Sequence, residues 1–434
     1  MKDFKFKTKP YDHQLEALEV SHDKDEYALF MEMGCGKSKV ILDNVAYLYS
    51  QGKIYNALIV APKGVYDNWV SKEIPTHLPD HVPYDIVKWQ SNHTKSFQKE
   101  LKVIYSSDFN LKILVMNIEA FSTKKGVEFA NKFLQLSKSI FIIDESTTIK
   151  NQDAKRTANC VRLGKYAYYR RILTGSPVTK SPLDLYSQCM FLNPALLGFS
   201  SYYSFRARYA DMVEKSGQGR TFKFVTGYKN MDELNELLTK FSHRVLKKDC
   251  LDLPEKVYIK RTIEMTKDQQ KAYKELQRFA VTLLKNSKTV TIKNVITQII
   301  RLHQISCGFT VTDDGVTTEI TSQRLPELLS ILEETDGKVI IWANYRYDIQ
   351  KIEKTLIDIY GRNSVGTYYG GVEQVERERV INEFQDPNSP LRFFVGNTQT
   401  GGYGITLTAA STVIYYSNNY DLEKRLQSED RAHR

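Results

Sequence analysis

At 434 residues the chain is too long for one ordinary domain, and at roughly 150 residues per domain two to four are expected. Its apolar content (41%) and charged content (26%) are those of a globular protein and exclude wholesale disorder. Lys and Arg outnumber Asp and Glu by 61 to 51, and a net charge of +10 favours polyanionic partners. Apolar runs such as Val339–Ala343 and Ile140–Ile143 fall far short of the roughly 18 residues that span a bilayer. The N-terminus has no hydrophobic signal core, so no membrane partner is expected. The five cysteines are scattered without a CxxC pair, which fits a reducing cytoplasm and supports neither a disulfide framework nor a cysteine zinc site. His77 and His81 have helical spacing, but Pro79 lies between them and argues against a metal-binding pair.

In chain order, an apolar stretch at Tyr27–Met31 leads through Gly34-Cys35-Gly36-Lys37-Ser38 into a helix over Lys37–Tyr49. Short β-branched runs at Asn56–Ala61, Lys112–Met116 and Ser139–Ile143 read as buried strands, with a helix at Gly126–Leu136. Strands separated by helices predict a parallel sheet whose ligands sit beyond the strands' carboxyl ends. From Pro194 to about Asp336 the pattern changes. Tyr202–Arg208 and Arg220–Lys229 mix aromatic and basic residues, which suits either a solvated helical insertion or a nucleic-acid-facing surface. Asp232–Phe241 and Asp268–Lys285 read as helices. In the latter Ala272, Leu276, Phe279, Leu283 and Leu284 form one apolar face, and Val295, Ile299 and Leu302 continue in a second helix. Asp314-Gly315 within Thr310–Ile320 predicts a hairpin with a type I′ turn. The strand pattern then returns at Lys338–Ala343, Ser364–Tyr369, Arg392–Gly396 and Thr412–Tyr416.

Gly34, Cys35 and Gly36 would let backbone N–H groups curl around phosphate oxygens at a helix N-terminus. Lys37 would reach the β- and γ-phosphates of a nucleotide, and Ser38 would bind Mg²⁺. Met31 stands where such loops usually carry their first glycine. Ile140–Ile143 ends in Asp144-Glu145 at a strand's carboxyl end, where one carboxylate can hold Mg²⁺ and the other polarise the attacking water. Cys35, beside Lys37 and a helix N-terminus, is placed for a lowered thiol pKa, or else packs inward as a small hydrophobe.

These residues, and those that follow, resemble the Swi/Snf-type helicases and translocases of superfamily two over nearly the whole chain. Tyr11-Asp12-His13-Gln14 is similar to the family's adenine-reading Gln motif, and Met31 through Ser38 to motif I, where leucine is common at the place of Cys35. Ala61-Pro62-Lys63 through Trp69 resembles motif Ia; Asp144-Glu145-Ser146-Thr147 is a DEST form of motif II. Leu173-Thr174-Gly175-Ser176-Pro177 resembles motif III, and Val339–Tyr345, containing Asn344, motif IV. Gly370-Gly371 with Arg377 resembles the next signature, and Thr398-Gln399-Thr400-Gly401-Gly402-Tyr403-Gly404 motif V. Gln427, Arg431 and Arg434 have the spacing of motif VI. Gln399 stands where many relatives carry arginine. Gly227–Asn230, before the Asp232–Leu238 helix, resembles the fork-remodelling, strand-annealing branch of the family.

The resemblance implies two tandem RecA-like parallel-sheet lobes, an α/β fold with helical insertions between and beside them. The first is expected over residues 1–245, with a helical insertion at about 195–245. The second is expected over 246–434, with a linker and insertion at about 246–325. It implies catalysis by Lys37, Asp144, Glu145, Gln427, Arg431 and Arg434, the two arginines neutralising transition-state charge. ATP would be held by Gln14, Gly34, Cys35, Gly36, Lys37, Ser38 and Gly404, and Mg²⁺ by Ser38 and Asp144. Nucleic acid would be met by Lys63, Thr174, Ser176, Asn344, Thr398, Gly401 and Gly402. The implied activity is that of a DNA-dependent ATPase and helicase acting on forked or branched DNA in replication, recombination or repair. A duplex translocase that leaves strands paired is the alternative, and a nucleotide-gated DNA-binding switch a third reading. The compact motif set resembles phage and bacterial members, which places the protein in a bacterial or phage-infected cytoplasm.

Overall fold

The computed structural model describes residues 4–92, 94–106, 110–217, 220–286, 292–312, 314–401 and 405–433. The chain divides into two compact units, Met1–Leu253 and Pro254–His433. The division falls after Leu253 rather than after 245. Cys250 and Leu251 pack on the core of the first unit, and the Lys247 amide donates to the Glu32 carboxylate at 2.8 Å.

In the first unit six strands run in parallel: β1 (Glu26–Met31), β2 (Asn56–Ala61), β3 (Tyr84–Lys88), β4 (Leu111–Asn117), β5 (Ser139–Asp144) and β6 (Tyr169–Leu173). The segment from 195 to 245 was expected to be helical. It holds a helix (Tyr202–Tyr209), an antiparallel hairpin of β7 (Ala210–Gly217) and β8 (Arg220–Tyr228), a second helix (Met231–Thr239) and β9 (Ser242–Val245). The reason lies in β8, where Thr221, Phe222, Phe224, Val225, Thr226 and Tyr228 supply the β-branched and aromatic residues that favour a pleated strand. β9 joins the main sheet in parallel beside β1, giving the order β3-β4-β2-β5-β6-β1-β9 among the described residues.

Every residue of β2 and β5 is buried, as strands covered on both faces require. Their side chains alternate between two cores. Leu58, Val60, Phe141 and Ile143 enter one, and Ala57, Ile59, Ile140 and Ile142 the other.

The second unit contains helices Lys267–Asn286 and Ile292–Cys307, then a hairpin of β10 (Phe309–Val311) and β11 (Thr317–Glu319). The hairpin forms where expected, but its turn is not type I′. The Thr312 amide donates to Val316 O and the Gly315 amide to Thr312 O, so three residues close the loop. Gly315 takes the left-handed conformation at φ +80°, while Asp314 keeps negative φ. A left-handed glycine ending a three-residue loop gives the strands their twist without straining a carboxylate residue.

β12 (Lys338–Trp342), β13 (Val365–Tyr368), β14 (Phe393–Gly396) and β15 (Ala410–Tyr415) form a second parallel sheet in the order β13-β14-β12-β15. Val339 and Ile341 face one core, Ile340 and Trp342 the other. The expected α/β class, with two tandem parallel-sheet units, is the one observed. Among the described residues no helix is long and apolar enough to cross a membrane.

Candidate active site

The loop after β1 turns on two glycines in the left-handed region, Gly34 at φ +92° and Gly36 at φ +81°. Gly36 is the N-cap of the Lys37–Ser50 helix. It is required twice over, because a Cβ there would also lie 2.1 Å from Gln14 Nε2. Gln14 is buried on this loop. Its Nε2 donates to Cys35 O at 3.3 Å while its Oε1 accepts the Tyr11 amide at 3.1 Å, and His13 Nε2 lies 3.0 Å from the same Cys35 oxygen. Lys37 Nζ donates back to Met31 O at 2.8 Å and Glu32 O at 3.4 Å. Ser38 follows in the first helical turn.

Cys35 is fully buried and belongs to the same core cluster as Ile41 and Leu42. Burial, reinforced by Cys250, pushes its thiol up to about 12 against the Lys37 charge. The lowered thiol pKa considered from sequence is thus overturned. Desolvation of a buried sulfur outweighs a neighbouring ammonium, and the residue packs as a small hydrophobe.

β5 delivers Asp144 and Glu145. Asp144 Oδ2 accepts from the indole Nε1 of buried Trp69 at 2.9 Å, and its Oδ1 accepts the Glu145 amide at 2.9 Å. Burial, with Glu145 adjacent, raises the Asp144 carboxyl to about 7 against the Trp69 hydrogen bond and the charge of Lys37. Glu145 takes a left-handed backbone at φ 49°, a costly conformation for a non-glycine residue. Its carboxylate accepts from Thr174 Oγ1 at 3.5 Å, and Thr174 Oγ1 in turn accepts the Ser176 amide at 3.2 Å. Thr174 is buried against Glu145. Gly175 brings the same loop against the loop that follows β1, since a Cβ there would lie 3.3 Å from Glu32 Cα.

Three neighbouring strands, β5, β6 and β1, thus supply Asp144-Glu145, Thr174–Ser176 and Gly34–Ser38 from their carboxyl ends. Mg²⁺ is held by one or two carboxylates plus phosphate oxygens rather than by an all-protein cage. Asp144 and Ser38 fit that donor set. Lys63 is exposed after β2, and Ser176 half-buried after β6.

Two residues of this unit were not assigned a role from sequence. Trp69 was visible only as the end of motif Ia, although a buried indole requires an acceptor. Arg171, fully buried in β6, donates to Asn44 Oδ1 and to the carbonyls of Ser21, Lys24, Asp25 and Arg170. It ties the helices on either side of β1 to the sheet, and no spacing signals it.

In the second unit Asn344 follows β12. Its amide donates to Ser417 Oγ at 2.8 Å, and its carbonyl accepts from Asn397 Nδ2 at 2.7 Å. Thr398 is buried and accepts from Asn419 Nδ2 at 3.1 Å, and a Cβ at Gly401 would meet the Trp342 ring at 2.5 Å. Gln427 is buried and donates to Glu423 Oε1 at 3.2 Å. Arg431 is only 1% exposed; its Nη1 donates to Ile405 O at 3.0 Å and its carbonyl accepts the Leu407 amide at 3.0 Å. Gly402, Gly404 and Arg434 lie outside the described residues.

A family model described as the SNF2-related domain matches residues 13–310, and the helicase conserved C-terminal domain matches residues 321–434. The chain belongs to the SNF2-related family. This SNF2-related chain is similar to the chromatin remodeling factor mit1 of Schizosaccharomyces pombe, with 22% identity over 93% of this chain and 28% of that protein. It is similar to the uncharacterized ATP-dependent helicase MG018 of Mycoplasma genitalium, with 27% identity over 93% of this chain and 36% of that one. It spans less than half the length of the curated relatives it matches, the share running from 19% to 45%. Among solved structures it is similar to the Sulfolobus solfataricus SWI2/SNF2 ATPase core in complex with dsDNA. That match has 23% identity over 100% of this chain and 86% of that one, with a TM-score of 0.47.

Proposed function

We propose that the chain is a DNA-stimulated ATPase that uses hydrolysis to move on DNA and to unwind or branch-migrate forked and junction substrates. The observation that carries the ATPase half is the delivery of Lys37, Asp144, Glu145 and Thr174 from the carboxyl ends of three neighbouring strands, with Thr174 donating to Glu145. In this reading Lys37 exchanges the carbonyls of Met31 and Glu32 for phosphate oxygens, and the helix N-terminus adds its dipole. Ser38 and Asp144 would hold Mg²⁺, which neutralises charge on the phosphates when bound. Glu145, oriented by Thr174, takes the proton of the attacking water. Gln14, seated on the phosphate loop, reads the base beside it.

Arg431 and Arg434 are proposed to neutralise the transferring phosphoryl group, with Gln427 beside them. For Arg431 this includes release from the Ile405 carbonyl that holds it. The DNA half rests on the +10 charge, on family membership and on relatives named as helicases and chromatin-remodelling proteins. Exposed Lys63 and half-buried Ser176 and Asn344 offer side chains to the backbone, while Thr398, Gly401 and Gly402 would act through the main chain around them. Relatives named as remodelling factors favour a second reading, translocation along duplex without separating strands.

Matched assays separate the two. Strand displacement on forked and four-way DNA supports the first. Displacement of a third strand from duplex DNA, with forks left intact, supports the second.

A further inference from the structure

Cys35 and Cys250 are 215 residues apart in sequence, yet their sulfurs lie 3.8 Å apart. Cys35 sits between the two left-handed glycines of the phosphate loop. Cys250 ends the short Lys247–Cys250 helix, is only half-buried, and donates from Sγ to Leu246 O at 3.2 Å. The other cysteines, Cys160, Cys189 and Cys307, are buried, and burial raises their thiols. Accessibility therefore singles out Cys250 as the first target of an oxidant, with a second sulfur already in contact behind it.

We propose that peroxide joins Cys250 to Cys35 in a reversible disulfide that shuts off nucleotide turnover. The Cys250 thiol gives up its proton and the thiolate attacks one peroxide oxygen; the O–O bond breaks, leaving a sulfenic acid and a hydroxide that takes up that proton as the first water. Cys35 sulfur then attacks Cys250 sulfur, gives up its proton, and the S–O bond breaks to release the second water. Two thiols supply the two electrons that reduce one peroxide to two waters. A small-molecule dithiol reverses the reaction by exchange.

The bond must affect the site because Cys35 has little slack. Its carbonyl is held by His13 and Gln14, its amide donates to Glu32 O at 3.2 Å, and the Glu32 carboxylate accepts the Lys247 amide. A disulfide closes to about 2 Å, so the loop bearing Gly36 and Lys37 is drawn toward the Lys247–Cys250 helix. A shift of about 1 Å at catalytic groups costs on the order of a hundredfold in rate.

The predicted loss of turnover rests on the nucleotide-binding reading of Gly34–Ser38; the predicted bond does not. The test treats the full chain with hydrogen peroxide and maps unreduced peptides by mass spectrometry, with DNA-stimulated ATP hydrolysis measured in parallel. A peptide pair linking Cys35 to Cys250 is expected, and turnover should fall by at least about tenfold and recover with dithiothreitol. Cys250→Ser should match the untreated wild type and stay active after peroxide. Over-oxidised Cys250 without the linked peptide would overturn the proposal, as would a linked peptide with unchanged turnover. A reduced wild-type chain that hydrolyses no ATP contradicts the ATPase reading, and the peptide map still decides whether the bond forms.

Discussion

Trp69 is the residue on which Asp144 most visibly depends. Both are buried, and the indole donor offsets part of the cost of a carboxyl group out of water. Trp69→Phe keeps most of the ring and removes the donor. Stability should fall by about 1–3 kcal/mol, the cost of leaving a buried acceptor unpaired, and ATP turnover should fall with it. Equilibrium urea unfolding checks the first expectation, and an unchanged midpoint contradicts it. The residues proposed to meet phosphate stand out in the sequence because their pattern is local: small residues before Lys37, and an apolar run ending in two carboxylates. The Trp69, Thr174 and Arg171 contacts were not, because they join loops and strands far apart in the chain. Cys35 shows the limit of local reasoning, since the nearby positive charge was visible and the burial that outweighs it was not.

At the scale of elements, the Arg346–Tyr360 helix buries Asp348 in its first turn, with Oδ2 lacking a hydrogen-bond partner. Burial raises its carboxyl to about 7, opposed by the charges of Arg324 and Lys351 and by a hydrogen bond with Ser417. An unfolded Asp loses its proton near pH 3.9. Between that pH and about 7 the native state therefore binds a proton that the unfolded state has released. This group's contribution is fully present at low pH and is lost as pH rises through that window. Asp43, raised to about 6 by burial, acts in the same direction. Asp348→Asn should therefore stabilise the protein more at about pH 8 than at about pH 5, measured as the difference in unfolding free energy from wild type. Equal differences at the two pH values contradict the assignment. Central strands such as β2, β5 and β12 were legible because both faces are covered and the sequence runs apolar throughout. The edge strand β9, Ser242–Val245, is polar and half-exposed and gives no such run. The β7–β8 hairpin is not legible as strands because basic residues interrupt its aromatic and β-branched pattern.

For the whole molecule, two tandem α/β units follow from the recurrence of strand and helix patterns on either side of a dissimilar middle. The boundary shifted to Leu253 because the Lys247–Cys250 helix packs back on the first unit, which no composition change marks. The motif set divides the same way. The Gly34–Ser38 loop and both carboxylates belong to the first unit, while Gln427 and Arg431 belong to the second. Glu145, held by Thr174, is the proposed base of a DNA-stimulated ATPase. The most direct measurement is ATP binding and hydrolysis by wild type and Glu145→Gln, with and without DNA at matched salt, since contacts to phosphates weaken steeply as salt rises. The wild type should be accelerated by DNA. Glu145→Gln should bind ATP nearly as well yet lose turnover by roughly 10²–10⁴, the range for a general base. Hydrolysis by Glu145→Gln at the wild-type DNA-stimulated rate, or a wild-type rate indifferent to DNA, would contradict it.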